Sequence, residues 1–314
     1  MFISTLPPIH MEGLMEEMIA HSLVDGVRYN IGGYSAYKPK ETLERILGLT
    51  EEYKKKFWLD LKGRQLRISR WTMGSLGKAT LNHKIQVDTP ARVYFRGNDW
   101  SEIKVVNGDT IFVDPLPKNA VGEGQAINIH GDNLKIFGYL TDDDREYIDA
   151  AAKLGMHSFM LSFVEGLEDA EEFEQALGYG YRGMGVDEVF KIESPKGMEF
   201  VRQLGSSGIP SELYTLMAAR DDWFTNTIPR PQILKDLEDM VKIDPKAIVA
   251  SHIFGGLEGA GMVTMADLSD LYLMRHFGYK NFMLSDGISK RHFKKAVEAW
   301  EEFLDYFPME ERNE

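Results

Sequence analysis

The chain has no cysteine among its 314 residues. That removes disulfides, thiolate nucleophiles and thiolate metal sites, and leaves carboxylates, histidine and backbone oxygen as metal ligands. Long hydrophobic runs are also missing. No apolar stretch approaches the roughly 18 residues of a membrane-spanning helix, so no membrane segment is expected. The first residues, Met1-Phe-Ile-Ser-Thr5, lack the basic start and long apolar region of a secretory leader, which predicts a cytoplasmic protein. Positive charge is scarce as well: Lys and Arg number 36 against 49 Asp and Glu, a formal charge of -13. Phosphate backbones need clustered cations, and no such cluster is present, so nucleic acid is not an expected partner. The one basic run, Lys54-Lys-Lys56, precedes an apolar strand, where the end of a helix favours cations.

What is present is the composition of a globular protein, 43% hydrophobic and 27% charged. Short β-rich runs at 2–6, 26–31 and 57–61 alternate with helical stretches at 11–21 and 41–49; in the first helix Leu14, Met15, Met18 and Ile19 follow helical spacing. Two βα units in succession imply parallel strands and right-handed crossovers. From residue 68 the character changes. Runs at 85–88, 93–95, 103–106 and 111–113 are separated by turn signals without a convincing helix, which predicts a small β domain over 68–135 inserted between barrel segments 1–67 and 136–314. Helical rhythm resumes at Thr141-Asp-Asp-Asp144, an N-cap followed by acidic residues, and stops at Gly155.

Further strands are expected at 158–164, 188–192, 213–218, 247–253 and 281–285, making eight. Lys153-Leu-Gly-Met-His-Ser-Phe-Met-Leu-Ser162 resembles His276-Phe-Gly-Tyr-Lys-Asn-Phe-Met-Leu-Ser285, each reading as helix end, Gly cap and buried strand. Eight strands alternating with helices predict an α/β fold closed as a (β/α)₈ TIM barrel, with the β domain after the third strand. An open doubly wound sheet gives the same local pattern, but no Gly-rich dinucleotide fingerprint follows the first strand. A last packing helix is expected over 290–307, with Phe293, Val297, Trp300, Phe303 and Leu304 on one face.

In such a barrel the C-terminal strand ends carry the chemistry. They read Arg28 and Asn30; Asp60 and Lys62; Ser162; Lys191 and Glu193; Arg220, Asp221 and Asp222; Ser251 and His252; Ser285 and Asp286. Strand ends are polar in any protein because loops begin there, so one such residue alone is as readily structural as functional. Lys191 and Glu193, two apart, emerge on one strand face, either as an ion pair or as part of an active site. Glu193 with Asp222 offers two carboxylates to Mg²⁺ or Mn²⁺, Lys191 suits a transferring phosphoryl group or an enolate, and Arg28 suits a phosphate or carboxylate.

The order of motifs resembles the pyruvate kinase family over essentially the whole chain. Val27-Arg-Tyr-Asn-Ile-Gly32 is similar to the second-strand motif, and Leu59-Asp-Leu-Lys-Gly-Arg-Gln-Leu-Arg67 to the third-strand motif that leads into the β domain. Asn128-Ile-His-Gly131 resembles the exit from that domain, Lys191-Ile-Glu-Ser-Pro-Lys-Gly197 the Lys-Ile-Glu-Asn-x-x-Gly signature, and Met217-Ala-Ala-Arg-Asp-Asp222 the Met-Val-Ala-Arg-Gly-Asp motif. Leu268-Ser-Asp270 and Met283-Leu-Ser285 parallel the last βα unit. The resemblance implies that Glu193 and Asp222 hold Mg²⁺ or Mn²⁺ and that Lys191 assists phosphoryl transfer. It also implies that Arg28 contacts the transferred phosphate, that Asn30 and Asp60 contribute to a K⁺ site, and that Ser251 stands near the enolate carbon.

There are departures. Gly32 and Gly33 replace a Ser and a His, Asp221 replaces a Gly where the substrate carboxylate is received, and Ser251-His-Ile-Phe-Gly-Gly256 replaces Thr-Gln-Met-Leu-Glu-Ser. Gly124-Gln125 stands in place of a Lys pair, and no C-terminal regulatory domain is expected after the barrel. The losses fall mostly on nucleotide and carboxylate recognition. The first reading is therefore a pyruvate kinase-like metal-dependent enzyme acting on phosphoenolpyruvate or pyruvate with ADP or ATP, its partners being a small oxyacid, a nucleotide and further copies of itself in a homo-oligomer. The alternatives are a metal-dependent lyase or aldolase on pyruvate or another 2-oxo acid, with His252 as base, or a non-catalytic pyruvate kinase homologue.

Overall fold

Strands buried on both faces read as near-continuous apolar runs, and eight such runs organise this molecule. A computed structural model describes residues 1–33, 35–73, 76–96, 99–178, 185–208 and 213–308. In chain order β1 (Phe2–Thr5), α1 (Glu12–Ala20), β2 (Gly26–Asn30), α2 (Pro39–Glu52) and β3 (Lys56–Leu61) form the first βα units. The β domain follows. Its strands are β4 (Ile68–Met73), β5 (Gly77–Leu81), β6 (Lys84–Gln86), β7 (Ala91–Arg96), β8 (Asp99–Asn107), β9 (Thr110–Asp114), β10 (Asn128–His130) and β11 (Lys135–Phe137). The barrel resumes with α3 (Asp142–Lys153), β12 (Ser158–Leu161), α4 (Leu167–Leu177), β13 (Asp187–Ile192), α5 (Pro195–Ser207), β14 (Thr215–Ala219), α6 (Arg220–Asn226) and α7 (Gln232–Ile243). It ends with β15 (Ile248–Ala250), the short α8 (Gly256–Gly259), α9 (Met265–Phe277), β16 (Asn281–Met283) and α10 (Asp286–Tyr306).

The eight strands expected from the sequence close as a parallel barrel in the order β1-β16-β15-β14-β13-β12-β3-β2. Outward-facing residues such as Phe2, Leu59, Phe159, Phe190, Leu216, Val249 and Phe282 join the helices in one large core. The inward set is a smaller cluster of Ile3, Trp58, Met160, Val189, Met217, Ile248, Ala250 and Met283. Gly26 belongs to this layer by necessity, because a Cβ there would lie 2.5 Å from Trp58 Cζ3. Trp58 thus plugs the barrel interior. One inward step further along the strands, polarity takes over: Thr5, Arg28, Asp60, Ser162 and Lys191 are all buried. The period-two alternation of a strand therefore places a charged layer on an apolar floor.

Several strands stop earlier than expected. The run at 247–253 ends as a strand at Ala250 because Ser251 and His252 take left-handed backbone (φ 65 and 61), and Phe163 (φ 54) ends the run at 158–164 likewise. The last helix starts earlier, at Asp286, where Ser285 Oγ accepts from the Ile288 N–H at 3.3 Å.

The β domain has its own core of Leu66, Ile68, Val93, Phe95, Ile103, Ile111, Val113 and Ile129 among others, between a six-stranded antiparallel sheet (β10-β7-β8-β9-β5-β4) and the β11-β6 pair. Two chain segments join it to the barrel, and they are zipped together: Ile127 N–H donates to Leu66 O at 3.0 Å and Ile68 N–H to Gln125 O at 2.9 Å. At the root, Gly63 takes φ +49 with its Cβ position 2.5 Å from Ser162 O, so only glycine fits this turn. Asp144, in the capping box of α3, also accepts from the Lys62 N–H at 2.7 Å, which anchors the root to the barrel. No helix among the described residues is long and apolar enough to cross a membrane.

Candidate active site

The charged layer opens into a cavity of about 200 Å³ at the C-terminal ends of the strands. Arg28, Asn30, Asp60, Lys191, Glu193, Asp222 and Ser251 all line it, whereas two of the polar strand ends named from the sequence do not: Arg220 pairs with Asp270, and His252, the candidate base, with Asp221. Lys62, Ser162, Asp221, Ser285 and Asp286 join them from the other strand ends. Gln65 and Arg67 come from the first hinge segment, and Asn128, on the second, reaches the same cleft. These three stand in the sequence only as members of longer motifs, and nothing in their spacing announces that a hinge folds back over the barrel.

Lys191 is the hub. Its Nζ lies 2.6 Å from Ser162 Oγ, 3.3 Å from Asp60 and 3.4 Å from Glu193 Oε1. The pair on β13 is therefore an ion pair, but a buried one embedded in a network. Glu193 Oε2 accepts from the Phe163 N–H at 2.7 Å. Burial raises the pKa of Glu193 to about 7, with Lys191 opposing and Asp222 and Asp60 adding to the rise. Asp222 is also raised by burial, although Asn128 Nδ2 donates to Oδ1 at 3.2 Å and Lys191 lies near. Gln65 Nε2 approaches its Oδ2 at 3.3 Å. Two neighbouring carboxylates are thus held in a medium that disfavours their charge.

Each guanidinium nitrogen of Arg28 has a partner. Nε donates to Asp60 Oδ2 at 2.6 Å, Nη2 pairs with the same oxygen, and Nη1 reaches Thr5 Oγ1 at 3.1 Å and Asp286 Oδ2 at 3.0 Å. Burial works against its charge, but Asp60 and Asp286 raise its pKa above the ordinary arginine value. Asn30 Oδ1 accepts from the Gly32 N–H at 2.8 Å, and Asp60 Oδ1 from Ser162 at 3.3 Å. A monovalent cation at Asn30 and Asp60 would share those oxygens with internal donors.

Arg67 makes a different set of contacts. Its guanidinium meets Gly124 O at 2.8 Å and Gln65 Oε1, Nε has no hydrogen-bond partner, and among the described residues no carboxylate lies within ion-pair distance. A Cβ at residue 32 would lie 2.6 Å from Arg67 Nη2, so Gly32 makes the room it occupies. Asp221, the extra carboxylate, turns to His252, whose Nε2 lies 2.9 Å from Oδ1. Burial opposes ionisation, but the His252 hydrogen bond and charge outweigh it and bring Asp221 below the usual carboxylate range. Asp221 is thus turned toward His252.

Among the described residues, no group of three or more His, Asp or Glu side chains is arranged as a metal nest. Two carboxylates fit Mg²⁺ or Mn²⁺, which bind proteins through one or two carboxylates and keep several waters. The donor set of Glu193 and Asp222 meets that requirement.

A closed barrel of eight parallel strands with an antiparallel β domain after the third, and a charged cleft at the strand ends, is an architecture of the TIM-barrel class. Within that class the chain resembles the pyruvate kinases. No protein-family profile matches it. The curated pyruvate kinase of Thermoplasma acidophilum is 25% identical over 234 residues, which make up 68% of this chain and 41% of that enzyme. The chain therefore matches about two fifths of the length of this curated relative. Among solved structures, pyruvate kinase from Pyrobaculum aerophilum superposes with a TM-score of 0.72 at 16% identity, covering 97% of this chain and 72% of that one. The Cryptosporidium parvum pyruvate kinase gives 0.71 at 18% identity, covering 94% and 67%. These superpositions establish the pyruvate kinase fold, inserted β domain included.

Proposed function

We propose that the protein is a divalent-metal-dependent enzyme acting on phosphoenolpyruvate or pyruvate, with an enolate as the species it stabilises. The observation that carries this reading is Lys191: a buried ammonium fixed by Ser162 and Asp60, beside Glu193 and opening on a cavity small enough for a three-carbon acid. Glu193 and Asp222 would hold the metal, which when bound polarises the substrate's oxygens. Lys191 places a fixed positive charge where negative charge develops on the enolate oxygen, and its partners spare it reorganisation during the reaction. Asn128 and Gln65 bring the hinge over the cleft and limit water there.

Two outlets for that enolate divide the reading. Phosphoryl transfer with ADP is supported by the sequence likeness to a pyruvate kinase over 68% of this chain. Lyase or aldolase chemistry on a 2-oxo acid is favoured by Arg28, whose donors are taken up by Asp60, Thr5 and Asp286 and are to that extent withheld from a phosphate; His252, turned to Asp221, does not line the cavity. The test is a pair of measurements on purified protein with Mg²⁺ or Mn²⁺: exchange of pyruvate methyl protons in heavy water by NMR, and pyruvate formation from phosphoenolpyruvate and ADP. Exchange alone selects the lyase branch, and turnover with ADP selects the kinase branch. Neither, with both metals tried, sinks the catalytic reading and leaves a non-catalytic homologue.

A further inference from the structure

Five acidic side chains (Asp60, Glu193, Asp221, Asp222 and Asp286) and four basic ones (Arg28, Lys62, Arg67 and Lys191) line the cavity. For a site meant to take a multiply charged anion this balance is poor. Asp286 makes it so at the point that matters. It occupies the first position of α10, capped by Ser285, where the helix dipole favours a carboxylate. From there Oδ2 lies 3.0 Å from Arg28 Nη1, while 59% of the side chain stays accessible from the cleft. Asn30 lines the same part of the cavity. Arg28 Nε and Nη2 are held by Asp60 and Nη1 by Thr5, so Asp286, itself part of the cavity lining, completes a set of partners in which each guanidinium nitrogen is already bonded. A planar guanidinium fork is the strongest receptor for phosphate among side chains, and here a carboxylate of the chain itself is docked on it.

We infer that Asp286 determines the charge of ligand this cleft accepts: by pairing with Arg28 it favours a monoanionic oxyacid, the 2-oxo acid branch of the proposed reading, over a phosphoryl group. An incoming phosphate would have to displace Asp286 from Arg28 and then lie beside the freed carboxylate, so it meets both a lost ion pair and like-charge repulsion. A monocarboxylate held by the metal pair and Lys191 meets neither. The inference rests on the 2-oxo acid branch of the proposed reading for its substrate class and on the Arg28–Asp286 contact alone for its selectivity.

The experiment is calorimetric titration of inorganic phosphate, phosphoenolpyruvate and pyruvate into the protein with Mg²⁺, for the parent, Asp286→Asn, Asp286→Ala, and Glu298→Gln as a variant with the same charge change on the exposed face of α10. In both Asp286 variants phosphate and phosphoenolpyruvate affinity rises at least tenfold while pyruvate affinity changes less than threefold, and Glu298→Gln matches the parent. Unchanged phosphate affinity in both Asp286 variants overturns the inference, as does an equal gain for phosphate and pyruvate, which would mark a general charge effect. If pyruvate binds to none of the proteins, the oxyacid reading fails separately, and the phosphate comparison still decides the role of Asp286.

Discussion

Asn128 Nδ2 lies 3.2 Å from Asp222 Oδ1, and this one contact ties the second hinge segment of the β domain to a carboxylate of the barrel mouth. The contact predicts a split effect for Asn128→Ala. A single partly buried hydrogen bond to a charged group contributes about 1.5–3 kcal/mol at most, so the melting temperature falls by only a few degrees. The β domain, freed at this point, opens more often, seen as faster amide exchange at Lys62, whose N–H is bonded to Asp144 of the barrel. Activity drops by tenfold or more. Unchanged exchange at Lys62 would show that the contact does not hold the domain.

The buried network around Lys191 predicts a large stability cost for Lys191→Met, which leaves Glu193 without its cation, while Asp60 keeps Arg28. Breaking a buried pair by removing one partner costs about 3–5 kcal/mol, read here by urea denaturation near pH 7.5. The double change Lys191→Met with Glu193→Gln recovers part of that loss, since the stranded carboxylate is gone. A loss under 1 kcal/mol would mean that water already screens the network.

Glu193→Gln and Asp222→Asn each lower Mn²⁺ affinity by at least tenfold, measured by the paramagnetic resonance of free Mn²⁺. Chelation lowers the thermal stability of the metal-loaded parent and leaves both variants unmoved. Mn²⁺ binding unaffected by either change would remove the metal-dependent reading.

A separate titration lies on the outer face of β13. Burial, with Glu174 and Asp187 nearby, pushes Glu188 up from 4.5 to about 8. A carboxyl with a raised folded-state pKa binds more protons folded than unfolded, so it costs nothing below pH 4.5 and destabilises progressively until pH reaches about 8. At roughly 1.36 kcal/mol per pKa unit, the loss across that window is on the order of a few kcal/mol. Glu188→Gln therefore matches the parent at pH 4.5 and exceeds it at pH 8, in denaturation curves taken across the window. A parent whose stability is flat between those values would contradict this.

Much of the fold was legible because its barrel strands are buried on both faces and announce themselves as apolar runs. Their lengths were not: Ser251 and His252 are β-compatible in isolation, and only the loop after β15 forces them into left-handed backbone. The polar strand ends could be written down from the sequence, yet their partnerships could not. Arg28 and Asp286 are 258 residues apart, and it takes barrel closure between β1 and β16 to bring them together. Gln65, Arg67 and Asn128 enter the cleft through a hinge whose fold-back depends on Gly63 and the Asp144 anchor, a tertiary arrangement with no local periodicity to reveal it.

The Trp58 plug makes Gly26→Ala a test of interior packing, because the new methyl would lie 2.5 Å from the indole and 3.0 Å from Lys56 O. Overpacking of this kind costs about 1–3 kcal/mol. The same plug has a kinetic meaning. With the far end of the barrel stopped by an indole, the charged chamber is a blind alley rather than a passage. Whatever enters must leave by the way it came, past the hinge segments, so a departing product and an arriving substrate queue at one doorway.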